Sequence, residues 1–196
     1  MTENDVPADE ALSDVAPDFW DWSLATYDIS GLPEVLLKLQ DEFDFDVNLI
    51  LWCFWAGRWY PSLSEDQTTE LLRSTQTWHK RVTVPLRSLR RDMKDMKDIL
   101  TKKGCKSVRR DVKNLELETE RLEQDFLAEA TKQGSTGQSM NADPAAAHRY
   151  FRLYRQLCLK LEPVGHLSVE GQMERAGTLF AEAQQLIHNE NRGADV

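Results

Sequence analysis

The sequence predicts an all-α protein, a compact helical domain with a long antiparallel αα-hairpin. Three observations carry that prediction. No stretch shows the period-2 alternation of a half-buried strand, whereas apolar residues recur at three- and four-residue steps through most of the chain. Helix start and stop signals punctuate those segments. Two successive segments carry seams that step 4, 3, 4, 3, 4 and meet at a short stretch around Gly104.

The elements follow in order. Residues 1–15 are acidic, poor in large apolar groups and without periodicity, so they are expected to be a disordered tail. Phe19, Trp20, Trp22, Leu24 and Tyr27 form a short aromatic-rich helix after Pro17, broken at Gly31. Pro33 suits the first turn of a second helix, where its missing N–H is not needed; Val35, Leu36, Leu39 and Phe43 recur through it. Asp44, Phe45 and Asp46 make a turn, and Asp46 can cap the third helix, which Gly57 is expected to end.

Ser64 and Gln67 are spaced as a capping box and open a long helix. Its seam runs Val82, Leu86, Leu89, Met93, Met96, Leu100, with a kink or break expected just before Pro85. Gly104 should end that helix, and a second seam follows: Val108, Val112, Leu115, Thr119, Leu122, Phe126. Helical core and hairpin together span 16–132, and 133–142 is a flexible linker by composition.

Asp143-Pro144 starts the next helix, lined by Tyr150, Phe151, Tyr154, Leu157, Cys158 and Leu161, with Pro163 and Gly165 as its stop. Ser168 opens a last helix with Val169, Met173, Ala176, Phe180, Ala183 and Ile187 on one face. This C-terminal pair, 143–189, is expected to pack back on the core, leaving 190–196 as a frayed tail.

Composition narrows the function classes. Charged residues make up 29% of the chain and the mean hydropathy is -0.54. The longest apolar run, Val47 to Ala56, is far short of the roughly 20 residues that cross a bilayer. The N-terminus has neither a basic nor an apolar signal region, so a cytoplasmic protein without membrane insertion is expected. Cys53, Cys105 and Cys158 are widely spaced and form no C-x-x-C pair, which gives no support to zinc or dithiol chemistry.

The net charge of -9 hides a segregation. Residues 79–113 hold 13 Lys and Arg against 4 Asp and Glu, while the first 21 residues hold seven acids and no base. Such asymmetry points to partners.

Several motifs carry a family resemblance. They are Phe19-Trp20-Asp21-Trp22-Ser23-Leu24 with Tyr27, Leu39-Gln40-Asp41, the run from Asp46 to Cys53, and Trp78 with the run from Val84 to Arg91. Through them the chain, over roughly 18–127, resembles a small family of uncharacterised proteobacterial proteins. That resemblance implies a bacterial, cytoplasmic, all-helical domain and no catalytic activity.

The run DVNLILWCFWAG, residues 46–57, admits three readings. Almost every position is apolar, so the first is a helix buried all round in the core. Asn48 then needs partners, and Gln40, Asp41 and Tyr27 are the expected ones. The second is a ligand pocket in which Trp52, Trp55 and Trp59, with Trp20 and Trp22, line an apolar cavity and Asp46 and Asn48 supply polar groups. The third, a nucleophilic Cys53, lacks a nearby base or positive charge in the sequence. The carboxylates from Asp41 to Asp46 read as caps and a solvated turn, and no calcium-loop spacing follows. His79, His148, His166 and His188 form no i, i+4 ligand pair. No metal and no cofactor are expected.

The basic hairpin reads either as a solvated face or as an anion-binding surface. In the second case Arg87, Arg90, Arg91, Lys94, Arg109 and Arg110 dock an acidic protein or an RNA surface. A non-enzymatic interaction module is the leading functional expectation. A small-molecule binder or enzyme built on Asp46, Asn48, Trp52, Cys53 and Trp55 is the alternative.

Overall fold

The structure, a computed structural model, describes residues 15–95, 102–137, 143–158 and 169–193. The acidic tail, the hairpin tip with Met96 and Leu100, the stops at Pro163 and Gly165, and Ser168 lie outside the described residues. Among the described residues the chain is all-α. None of these helices is long and apolar enough to cross a membrane.

Helix α1 (Phe19–Tyr27) is capped by Asp18, whose side chain accepts from the Asp21 amide at 3.1 Å. Helix α2 (Leu32–Phe43) follows Gly31, whose φ of 85° is open to a residue without a Cβ. Proline stands in its first turn as expected. Asp46 caps α3 (Val47–Trp59), accepting from the Asn48 amide at 3.0 Å. The Ser64–Gln67 capping box forms in full at the start of α4 (Glu65–Trp78).

The expected break before Pro85 is a π-helical turn, His79–Thr83, ahead of α5 (Val84–Asp95). The Val84 amide reaches back five residues to the His79 carbonyl. This slip leaves Pro85 in the first turn of α5, clear of the clash its ring makes inside a regular helix. The long helix α6 (Lys102–Gly134) returns along α5. Helices α7 (Pro144–Cys158) and α8 (Val169–Gly193) complete the fold.

Helix α3 is the axis of the core. Every residue from Asn48 to Gly57 is buried. Helix α7 packs along it, α8 packs on α2, and α1 and α6 close the remaining sides. Phe180 of α8 stacks on Phe54 at 4.3 Å and on Phe151 at 4.0 Å, which ties both C-terminal helices to α3.

Two glycine expectations are corrected. Gly57 does not end α3, which runs on to Trp59. It marks the crossing with α7 instead: a Cβ there would lie 2.6 Å from the Ala147 amide nitrogen. Gly104 does not end a helix either; it lies in the first turn of α6.

The hairpin seam is also rotated from its expected setting. Val108, Leu115, Leu122 and Phe126 of α6 are exposed, as is Leu89 of α5. The buried positions of α6 include Glu116, Thr119, Glu123, Gln124, Leu127 and Thr131. A largely polar face turns inward because it finds partners there: Arg87 and Arg90 for Glu116, Asn48 for Glu123 and Gln124, Trp52 for Thr131.

Candidate functional site

The site is built where α3 begins and α6 passes over it. Arg87 of α5 donates to Glu116 at 3.1 Å, to Glu120 at 2.8 Å and to Gln40 of α2 at 2.7 Å. Arg90 adds two bonds to Glu116, one of them very short. The result is a largely buried guanidinium–carboxylate network. Burial works to raise the Glu116 carboxyl, but the bonds from Arg90 and Arg87 outweigh it and hold the group below its ordinary value. In Glu120 burial prevails and the value rises.

Beside this network lies a cleft of about 390 Å³. Trp20, Leu24, Tyr27, Leu37 and Leu117 supply apolar wall, and Leu24, Leu37 and Leu117 are among the large apolar side chains left exposed. Arg87, Arg90, Arg91 and Lys113 bring positive charge, and Asp46 and Asn48 form part of the lining.

Asp46 belongs to a second, buried group. Its Oδ2 lies 2.8 Å from Nδ1 of His79, the first residue of the π-turn. Glu123 of α6 completes a set in which one ligand-type atom from each residue falls within 4.8 Å of the others. All three residues are at most 3% exposed. Burial works to raise both carboxyls. In Asp46 the His79 imidazole, with hydrogen bonds from Glu123 and Asn48, overcomes burial and holds the group down at about 2. In Glu123 burial wins, reinforced by the Asp46 charge, and the carboxyl rises well above its ordinary range. The two neighbouring carboxyls are thus pushed in opposite directions.

The sequence-derived candidates separate on this frame. Asp46 and Asn48 reach the cleft. Trp52, Cys53 and Trp55 do not; all three are fully buried core residues. The Trp52 indole donates to Thr131 at 2.8 Å and the Trp55 indole to the Pro17 carbonyl at 3.1 Å. Burial pushes the Cys53 thiol well above its usual value, the opposite of an activated nucleophile.

Asn48 is satisfied from α6 rather than by Gln40, Asp41 or Tyr27. Its Nδ2 donates to Glu123 at 3.3 Å and its Oδ1 accepts from Gln124 at 2.8 Å. Gln40 is held by Arg87 instead.

Among the cations, Arg87 and Arg90 are engaged inside the hairpin. Arg109 donates to the Arg90 carbonyl at 3.3 Å, and Arg110 pairs with Asp111 at its side. Arg91 is 60% exposed and 3.9 Å from Asp41; Lys94 is exposed.

The residues that sequence reading missed are His79 and Glu123. They stand 33 and 77 positions from Asp46, so no local spacing links them. The one signal was Pro85, which flagged an irregular turn, and such turns are frequent at functional sites.

The same region carries the family relationship. A family model described as a protein of unknown function, DUF2390, matches residues 18–127. The chain belongs to the DUF2390 family. The matched segment runs from α1 to Leu127 and contains every residue of the cleft and of the buried cluster. The C-terminal helices α7 and α8 lie beyond the DUF2390 match. No match was found among curated proteins or among solved structures.

Proposed function

We propose that this DUF2390 protein binds a small amphiphilic anion in the cleft between α1, α2, α3 and the α5–α6 hairpin. The observation that supports this reading is the lining itself. Three exposed leucines, a tryptophan and a tyrosine surround a space of about 390 Å³, within the usual size of ligand pockets. Arg91 and Lys113, both exposed, stand on the same lining and suit a carboxylate or phosphate head. Asn48 and Gln124, bonded to each other, belong to the same lining.

The test is a thermal-shift and native mass-spectrometry screen against medium-chain carboxylates and phosphomonoesters. Wild type is compared with Leu117→Asp, which puts charge on the apolar wall, and Arg91→Glu, which reverses the head-group site. A ligand that raises Tm in wild type, with at least a tenfold loss of affinity in both variants, supports the reading. No ligand in either class, or equal binding by all three proteins, overturns it.

A second reading has its own observation. Val108, Leu115 and Leu122 recur one heptad apart, and Phe126 follows, as an exposed apolar stripe on α6. The exposed acids Asp111, Glu118, Asp125 and Glu129 border it. The occupant that complements this stripe is an amphipathic helix of a partner protein with Lys and Arg on its flanks. This differs from the acidic partner expected of the hairpin cations, because Arg87, Arg90, Arg91 and Lys94 stand on α5, and Arg109 and Arg110 fall outside the spacing of the stripe on α6. A photo-crosslinker at Leu122 should capture such a helix. Crosslinks to an acidic segment, or none, would reject it.

A further inference from the structure

We infer that Asp46, His79 and Glu123 form a binding site for one divalent first-row transition metal ion. The inference does not depend on the cleft having a ligand.

The argument starts from which atoms are left over. Asp46 Oδ1 is held by the Asn48 amide, and Glu123 Oε2 by the Asn48 side chain. The opposite oxygen of each carboxylate, Asp46 Oδ2 and Glu123 Oε1, and His79 Nδ1 are buried and bonded to nothing outside this cluster. Each of the three side chains thus keeps a ligand-type atom for the cluster, and one such atom from each lies within 4.8 Å of the others. His79 Nδ1 and Asp46 Oδ2 are 2.8 Å apart. A cation bound along that edge would take a lone pair from each.

The spacing agrees. Donors at about 2.1 Å from an ion stand roughly 3 Å apart along an octahedral edge and roughly 4.2 Å apart across it. The donors here lie within 4.8 Å of one another, which closes to that with a few tenths of an ångström of movement in each side chain. The other oxygens are already fixed, which is the outer-shell support that metal carboxylates need.

The donor set selects the ion. One imidazole and two carboxylates suit Mn²⁺, Fe²⁺ or Zn²⁺; without a thiolate they do not favour soft ions. Three protein donors also leave positions open. Asp46 is shared with the cleft lining, so the site would lie at the inner edge of that space. An ion of charge +2 balances two carboxylates that otherwise sit together in a place water does not reach. The π-turn that starts at His79 brings the imidazole to this point.

The experiment uses the full chain, stripped with a chelator and titrated with Mn²⁺, Fe²⁺ (anaerobically) and Zn²⁺ alone. Binding is followed by calorimetry and by the Mn²⁺ EPR signal. The expected result is one ion per chain. Glu123→Gln, which keeps shape and can still accept from Asn48, should weaken binding by about 100-fold or more. His79→Gln should do the same, and His188→Ala, outside the cluster, should change nothing. Circular dichroism confirms that each variant is folded. If His79→Gln does not fold, Glu123→Gln alone decides. Two results would overturn the site: no ion bound by the stripped wild type, or ions bound equally by wild type and Glu123→Gln. Either would leave a cluster that holds only protons.

Discussion

Gly57 and Ala147 meet where α3 crosses α7, so closely that a Cβ on Gly57 would stand 2.6 Å from the Ala147 nitrogen and 2.7 Å from its Cα. Both contacts are backbone, which cannot swing aside. Gly57→Ala is therefore expected to destabilise by about 1–3 kcal/mol through overpacking, despite the better helix propensity of alanine. Gly177 in α8 is the control. A Cβ there meets only the mobile end of Arg155, so Gly177→Ala should be neutral or stabilising. In thermal melts Tm should fall for Gly57→Ala and hold or rise for Gly177→Ala. A Gly57→Ala protein as stable as wild type would refute the tight crossing.

Arg87 and Arg91 are one turn apart and differ in role. Arg87 has a side chain 14% exposed and bridges Glu116, Glu120 and Gln40. Arg87→Ala removes the guanidinium partner of Glu120 and one of the two that hold Glu116, and should cost about 3 kcal/mol. Arg91→Ala removes a long surface contact and should cost less than about 0.5 kcal/mol. Urea denaturation separates them, and similar midpoints would contradict the network.

The acid limb of stability should carry the mark of Glu116. Its folded value lies below the ordinary 4.5. A depressed carboxyl contributes stability that is full above its unfolded value and is lost as pH falls through the folded one. Glu116→Gln should lower stability at neutral pH and flatten the pH dependence below about pH 4.5. Melts from pH 3 to 7 check this; an acid limb as steep as that of wild type would assign the loss to other groups.

The stripe on α6 should be silent in stability. Leu115 and Leu122 are 47% and 58% exposed. The double variant Leu115→Gln, Leu122→Gln should keep Tm within about 2 °C, since little burial is lost. It should also bind less of a hydrophobic dye. A large fall in Tm would mean that these leucines are packed in the folded protein.

Much of the fold could be read locally. Asp46, Ser64 with Gln67, and Asp143 with Pro144 each marked a helix start, and each helix begins there or at the next residue. Such signals survive because a cap depends on atoms three residues away at most. Gly57 was misread because the same residue serves as a stop signal and as a place of close approach, and only the neighbour tells them apart. The seam of α6 was misread because spacing identifies an apolar stripe without saying which way it faces.

Helix type, caps, the buried α3 and the charge segregation were determined by the sequence alone, since each rests on neighbours along the chain. Tertiary structure decided the rest. It turned Glu116, Glu123, Gln124 and Thr131 inward, gave Asn48 its partners from α6, and set His79 beside Asp46. The physical reason is that a buried polar group is fixed by the partner that satisfies it. When that partner stands 33, 76 or 79 residues away, no local pattern in the chain records the pairing.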